Sequence, residues 1–119
     1  MRAEIGIATL ALLLVLGGIA LAQDKPPPGD ATKGKQVYLA DGCYQCHGYV
    51  GQGSRSSGPR LARPELRFDK FKQALRQPRN EMPPYEETVL SDRDAADIYV
   101  FLRSLPPPTA ASSIPLLNH

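Results

Sequence analysis

The sequence predicts a single all-α domain carried behind an apolar leader. Val and Ile thin out after residue 22, and no later segment alternates apolar and polar residues over a strand's length, so strand signals are nearly absent. Three later stretches instead repeat apolar residues at helical spacing, each bounded by capping residues, Gly or Pro. A chain of 119 residues has room for one domain and a targeting segment, which excludes a multidomain enzyme.

The elements follow in order. Met1-Arg2-Ala3-Glu4 precedes an uncharged run from Ile5 to Leu21, closed by the small-residue pattern Ala20-Leu21-Ala22. This is the layout of a secretory signal peptide over residues 1–22, with the cut expected after Ala22. The competing reading is an uncleaved anchor, because the run approaches the length of a spanning helix. Either way the domain leaves the cytoplasm. Residues 23–29 form a proline-rich leader with Pro26-Pro27-Pro28, too stiff to continue a helix. The domain is expected over residues 30–105. Asp30 caps a first helix that carries Gly34, Val37 and Tyr38 and stops at Gly42. Phe68, Phe71 and Leu75 mark a second helix that must end before Pro78. Ser91 with Asp94 opens a last helix whose stripe is Ile98, Phe101, Leu102 and Leu105, ended by Pro106-Pro107-Pro108. Between the first two helices, Gly48 to Arg63 has the Gly, Ser and Pro content of a long loop, a type that usually carries function. Residues 106–119 form a Pro-rich tail without a clear pattern.

Composition narrows the function. Trp is absent and Phe numbers 3, so a chain this short has little large apolar surface to offset its ordering entropy. A non-protein group could complete such a core. The net charge of +2 is too weak to argue for nucleic-acid binding, and removing residues 1–22 takes away one charge of each sign. The 2 Cys lie close together, which suggests a metal, cofactor or redox site rather than a disulfide scaffold.

That pair belongs to Cys43-Tyr44-Gln45-Cys46-His47, a C-x-x-C-H motif. Its spacing has a chemical reason: two thiols can add to the two vinyl groups of one haem while the adjacent imidazole ligates the iron. A covalently attached macrocycle also brings the apolar surface that the side chains lack. A thioredoxin-like dithiol would need a βαβ context, and a plain disulfide gives no role to the His. Zinc would need four ligands, drawn from Cys43, Cys46, His47 and the remote His119, without the usual His spacing.

Cys43 to Gly48, Gly58-Pro59-Arg60-Leu61, Met82-Pro83-Pro84-Tyr85 and the helix end Tyr99 to Leu105 together resemble a class I cytochrome c of the bacterial, exported kind. The resemblance covers roughly Asp30 to Leu105 and implies the small cytochrome c fold, three to four helices around one covalent haem c held through Cys43 and Cys46. It implies His47 and Met82 as axial ligands of the iron. Met82 is also the sole Met after residue 22, presented by two stiffening prolines and lying on no apolar stripe. The family's G-P-x-L pattern implies that the Pro59 carbonyl accepts a hydrogen bond from the His47 imidazole and makes it more electron-rich. The family's first and last helices pack together, which maps onto Gly34 and Tyr38 meeting Ile98 and Phe101. The indole that some relatives use to bind a haem propionate has no counterpart here, leaving Tyr49, Arg55 or Tyr85 as candidates.

Charge is unevenly placed. Eight basic residues lie between Arg55 and Arg79 against Glu65 and Asp69, and six acidic residues lie between Glu81 and Asp97 against Arg93. Such a dipole could orient docking on a redox partner, although solvated faces would look the same. The expected function is single-electron transfer by a monohaem c-type cytochrome, with His/Met ligation raising the potential relative to bis-His. Its redox partners would be a dehydrogenase donor and an oxidase or reductase acceptor, in the periplasm, with membrane contact only if the leader is retained. A dedicated haem subunit of a larger periplasmic or membrane oxidoreductase is the alternative. A haem enzyme or gas sensor would need an open axial site and acid–base residues beside it, for which the chain offers little.

Overall fold

The computed structural model describes residues 27–63 and 65–117. The expected signal peptide or anchor, the cleavage point and His119 lie outside the described residues. Among the described residues four α-helices follow one another: α1 (Ala31–Ala40), α2 (Cys43–His47), α3 (Phe68–Arg76) and α4 (Asp92–Ser104). Among the described residues there is no strand, so the architecture is all-α.

The helix ends fall where the capping chemistry puts them. The Asp30 carboxylate accepts from the Thr32 and Lys33 amides, which have no intrahelical partner. Gly42 takes φ 74°, the left-handed conformation that lets the chain leave α1 and enter α2 within two residues. At α4, the Ser91 hydroxyl accepts from the Asp94 amide at 3.1 Å and donates to the Asp94 carboxylate at 2.6 Å. Aspartate is one methylene shorter than the Glu of a full capping box, and here its carboxylate takes the hydroxyl proton.

α1 crosses α4, and the crossing forms the centre of the domain. Gly34 is buried there, and a Cβ at this position would collide with the Asp97 backbone carbonyl. Absence of that Cβ lets Tyr38 reach Phe101, with ring centroids 5.5 Å apart. The core then extends through Leu90, Ile98, Tyr99 and Leu102 to Phe71 and Leu75 of α3. The Tyr99 hydroxyl reaches across to the Leu66 carbonyl at 2.8 Å, tying α4 to the approach to α3.

Asp97 is the unexpected member of this core. It is fully buried, and its Oδ1 accepts from the Asp30 amide at 2.8 Å while Arg93 and Lys33 approach the carboxylate at 3.3 and 3.4 Å. Burial alone would raise its pKa. The Asp30 amide and the two cations outweigh that and hold it below the usual carboxylate value. The tail leaves the core and forms two short 3₁₀ turns, Ala111–Ser113 and Pro115–Leu117, with Leu116 and Leu117 exposed. No helix among the described residues is long and apolar enough to cross a membrane.

Candidate functional site

The C-x-x-C-H motif is a helix of its own. Residues Cys43 and Cys46 stand three apart in α2, and His47 stands four from Cys43, so all three side chains project from neighbouring positions on one face. Both thiols are free: Cys43 is half-buried and Cys46 exposed. Burial, with the Asp41 carboxylate nearby, pushes the Cys43 thiol up to about 11. Among the described residues, no group of three or more His, Cys, Asp or Glu side chains gathers as a metal cluster.

His47 is buried and held by the loop that follows it. Its Nδ1 lies 2.8 Å from the Pro59 carbonyl oxygen. A carbonyl can only accept, so Nδ1 carries the proton and Nε2 keeps its lone pair. Gly58 permits this approach, since a Cβ there would stand 2.9 Å from His47 Cε1 and 3.0 Å from Nδ1. The loop is tied back at several points. Gly53 N–H donates to the His47 carbonyl at 2.8 Å, the Ser57 hydroxyl donates to the Cys46 carbonyl at 2.7 Å, and the Tyr38 hydroxyl donates to the Gly48 carbonyl at 2.7 Å. The Gly and Ser residues between 48 and 58 thus serve a folded loop wrapped on α2. Ser57 was not legible as a contributor, because one Ser among several in a loop carries no pattern.

The Met82 segment is tied to the same part of the domain through Tyr85. Met82 is half-buried and packs against the core. Three residues on, the Tyr85 amide donates to the Leu75 carbonyl at 2.8 Å, the Tyr85 carbonyl accepts from Arg76 at 2.7 Å, and the Tyr85 hydroxyl donates to the Asp41 carbonyl at 2.9 Å. The last bond ties the segment to the turn just before Cys43. It also engages the Tyr85 hydroxyl, one of the three groups expected as propionate donors. Tyr49 and Arg55 remain exposed, with Tyr49 stacked on Tyr44 at 4.7 Å.

These residues fit a haem. Cys43, Leu61, Phe68, Met82 and Tyr85 all pack against the core yet stay only half-buried, so a large apolar group covering them would complete their burial. Two free thiols beside an imidazole whose Nδ1 is held by a carbonyl are the groups that a c-type haem uses for attachment and ligation.

The charged segments are partly cross-linked to each other. Asp92 takes Lys72 at 2.8 Å and Arg76 at 2.7 Å, Arg67 pairs with Asp69 at 3.1 Å, and Lys33 pairs with Asp94 at 3.2 Å. Glu81, Glu86 and Glu87 stay exposed around the Met82 segment, and among the described residues they form no ion pair. The dipole of the sequence survives only in part.

Residues 29–102 match the family model described as cytochrome C oxidase, cbb3-type, subunit III. The chain is also 35% identical over 101 residues to cytochrome c-555 of Methylococcus capsulatus, a stretch covering 82% of this chain and 81% of that relative. No solved structure matches it significantly. With a C-x-x-C-H helix, a braced imidazole and this kinship, the chain belongs to the c-type cytochrome family that includes the cbb3-type subunit III domains.

Proposed function

We propose that this electron carrier holds one haem c through thioether links at Cys43 and Cys46, with His47 and Met82 as axial ligands, and works in the periplasm after export. As a c-type cytochrome the chain transfers electrons and is not an enzyme. The observation that carries the proposal is the 2.8 Å contact of His47 Nδ1 with the Pro59 carbonyl. It fixes the tautomer, aims the ring and makes Nε2 a stronger donor. The bound haem iron supplies a one-electron Fe(III)/Fe(II) couple. The protein's part is to keep both ligand atoms in place in either state, so that little has to move when an electron arrives. Pro59, Gly58 and the folded loop do this for His47, while Tyr85 anchors the segment that presents Met82.

The test is an absorption spectrum of the holoprotein, matured in cells competent for c-type haem attachment, as wild type and Met82→Ala. The oxidised wild type should show the weak far-red sulfur-to-iron band, and the variant should lose it with covalent haem retained. A wild type that lacks the band would overturn Met82 ligation.

A second reading, a dedicated haem subunit of a larger oxidoreductase, draws support from the family model's description and from the exposed Leu116 and Leu117 of the tail. Purification from the native source separates the two: a monomer supports the carrier, a stable complex the subunit.

A further inference from the structure

We propose that Arg76 is a positioning residue that holds the Met82 segment against the domain, an inference that rests on Met82 being an axial ligand. The fifteen residues between α3 and α4 contain no helix or strand. Among the described residues, no backbone hydrogen bond anchors 78–84, so Met82 sits in a stretch without its own ladder. The first tie after it is Tyr85, and Pro83 and Pro84 stand between. Two fixed φ angles make that connection stiff, so whatever holds the Tyr85 backbone also places Met82.

Arg76 is that holder. One guanidinium nitrogen donates to the Tyr85 carbonyl at 2.7 Å, and the other donates to the Asp92 carboxylate at 2.7 Å. Its side chain is mostly covered, so solvent does not compete freely for these bonds. The planar fork is therefore fixed at both ends, joining α3, the Met82 segment and the first residue of α4. Lys72, also on Asp92 at 2.8 Å, holds the carboxylate that holds Arg76. An ammonium could not reproduce this, because it is a point charge without the fork's two fixed directions.

A thioether is a neutral, weak ligand, so its occupancy of the iron depends on the local concentration of sulfur that the segment enforces. Releasing the Tyr85 carbonyl raises the fraction of molecules with sulfur off the metal. An added ligand then binds with an apparent affinity that rises in proportion to that fraction.

The experiment titrates ferric holoprotein with imidazole at neutral pH, for wild type, Arg76→Gln, Arg76→Lys and Met82→Ala. It also follows exchange of the Tyr85 and Leu102 amides. Arg76→Gln should bind imidazole about tenfold more tightly, about 1.4 kcal/mol, and Arg76→Lys should recover only a minor part of the difference. The Tyr85 amide should exchange faster while Leu102, in the α4 core, does not. If Arg76→Gln keeps wild-type imidazole affinity, or if Leu102 accelerates as much as Tyr85, the proposal is overturned. If wild type and Met82→Ala bind imidazole alike, the ligand assignment fails instead, and Tyr85 exchange alone decides whether Arg76 holds the segment. Should Arg76→Gln not fold, Asp92→Asn removes the outer anchor of the guanidinium and should move both readouts the same way by less.

Discussion

At Gly34, the difference between a hydrogen and a methyl group sets how near α1 can come to α4. The obstacle to a Cβ is the Asp97 carbonyl and the Ile98 amide, which are backbone and cannot rotate aside. Gly34→Ala gains helix propensity of about 1 kcal/mol, yet it must push the two helices apart and open the Tyr38–Phe101 contact. The expected net loss is about 3 kcal/mol, read by guanidinium unfolding of the holoprotein at equal haem content. A variant as stable as wild type would show that the crossing is looser than described. Gly34 itself was legible as the small residue of a helix pair. Asp97 was not, because a carboxylate beside an apolar stripe reads as solvated. Its burial is made possible by the Asp30 amide, 67 positions away in the chain, and no local pattern records that bond.

Helix by helix, the ends were legible because they depend on neighbours in sequence: Asp30, Gly42, Pro78, Ser91 and Pro106 all act within a turn. The helical form of Cys43 to His47 was not, since five residues are too few to display a period. The motif's chemistry was nevertheless plain from its spacing. The ties of the Met82 segment were hidden for a different reason, being hydrogen bonds from Arg76 and Tyr85 to backbone groups in other elements. The junction of α3 with α4 carries a pH dependence of its own. Hydrogen bonds from Lys72, and then from Arg76, hold the Asp92 carboxyl below its ordinary value of 3.8. In the acidic window the unfolded chain then binds the proton more readily than the folded one, so stability rises with pH there. The junction's contribution is complete above the ordinary carboxylate value and disappears as pH falls through the lower folded value. Thermal unfolding of wild type and Asp92→Asn should therefore differ at pH 7, begin to converge below about pH 4 and meet only once the pH has fallen past the lower folded value. A gap that stays constant to pH 3 would mean that the charge on Asp92 contributes nothing.

For the whole molecule, net charge is a poor guide to docking, because much of it is consumed internally. Lys72 and Arg76 of α3 are tied to Asp92 and Lys33 to Asp94, which leaves the three carboxylates at 81, 86 and 87 against the single cation Arg79 in the Met82 segment, a net negative field. If electrons cross the edge beside that segment, reagents of opposite charge should sense it oppositely. Outer-sphere exchange with an anionic iron–cyanide complex should be accelerated about tenfold at low salt by Glu81→Lys, Glu86→Lys and Glu87→Lys combined. Exchange with a cationic cobalt–amine complex should slow. Both differences should collapse near 1 M salt, where the screening length falls to about 3 Å, while the reduction potential shifts little. Rates that ignore the three reversals would place the transfer edge elsewhere, towards the exposed Tyr49, stacked on Tyr44, on the C-x-x-C-H side. On that premise, a redox partner that docks by this edge would present cations to it.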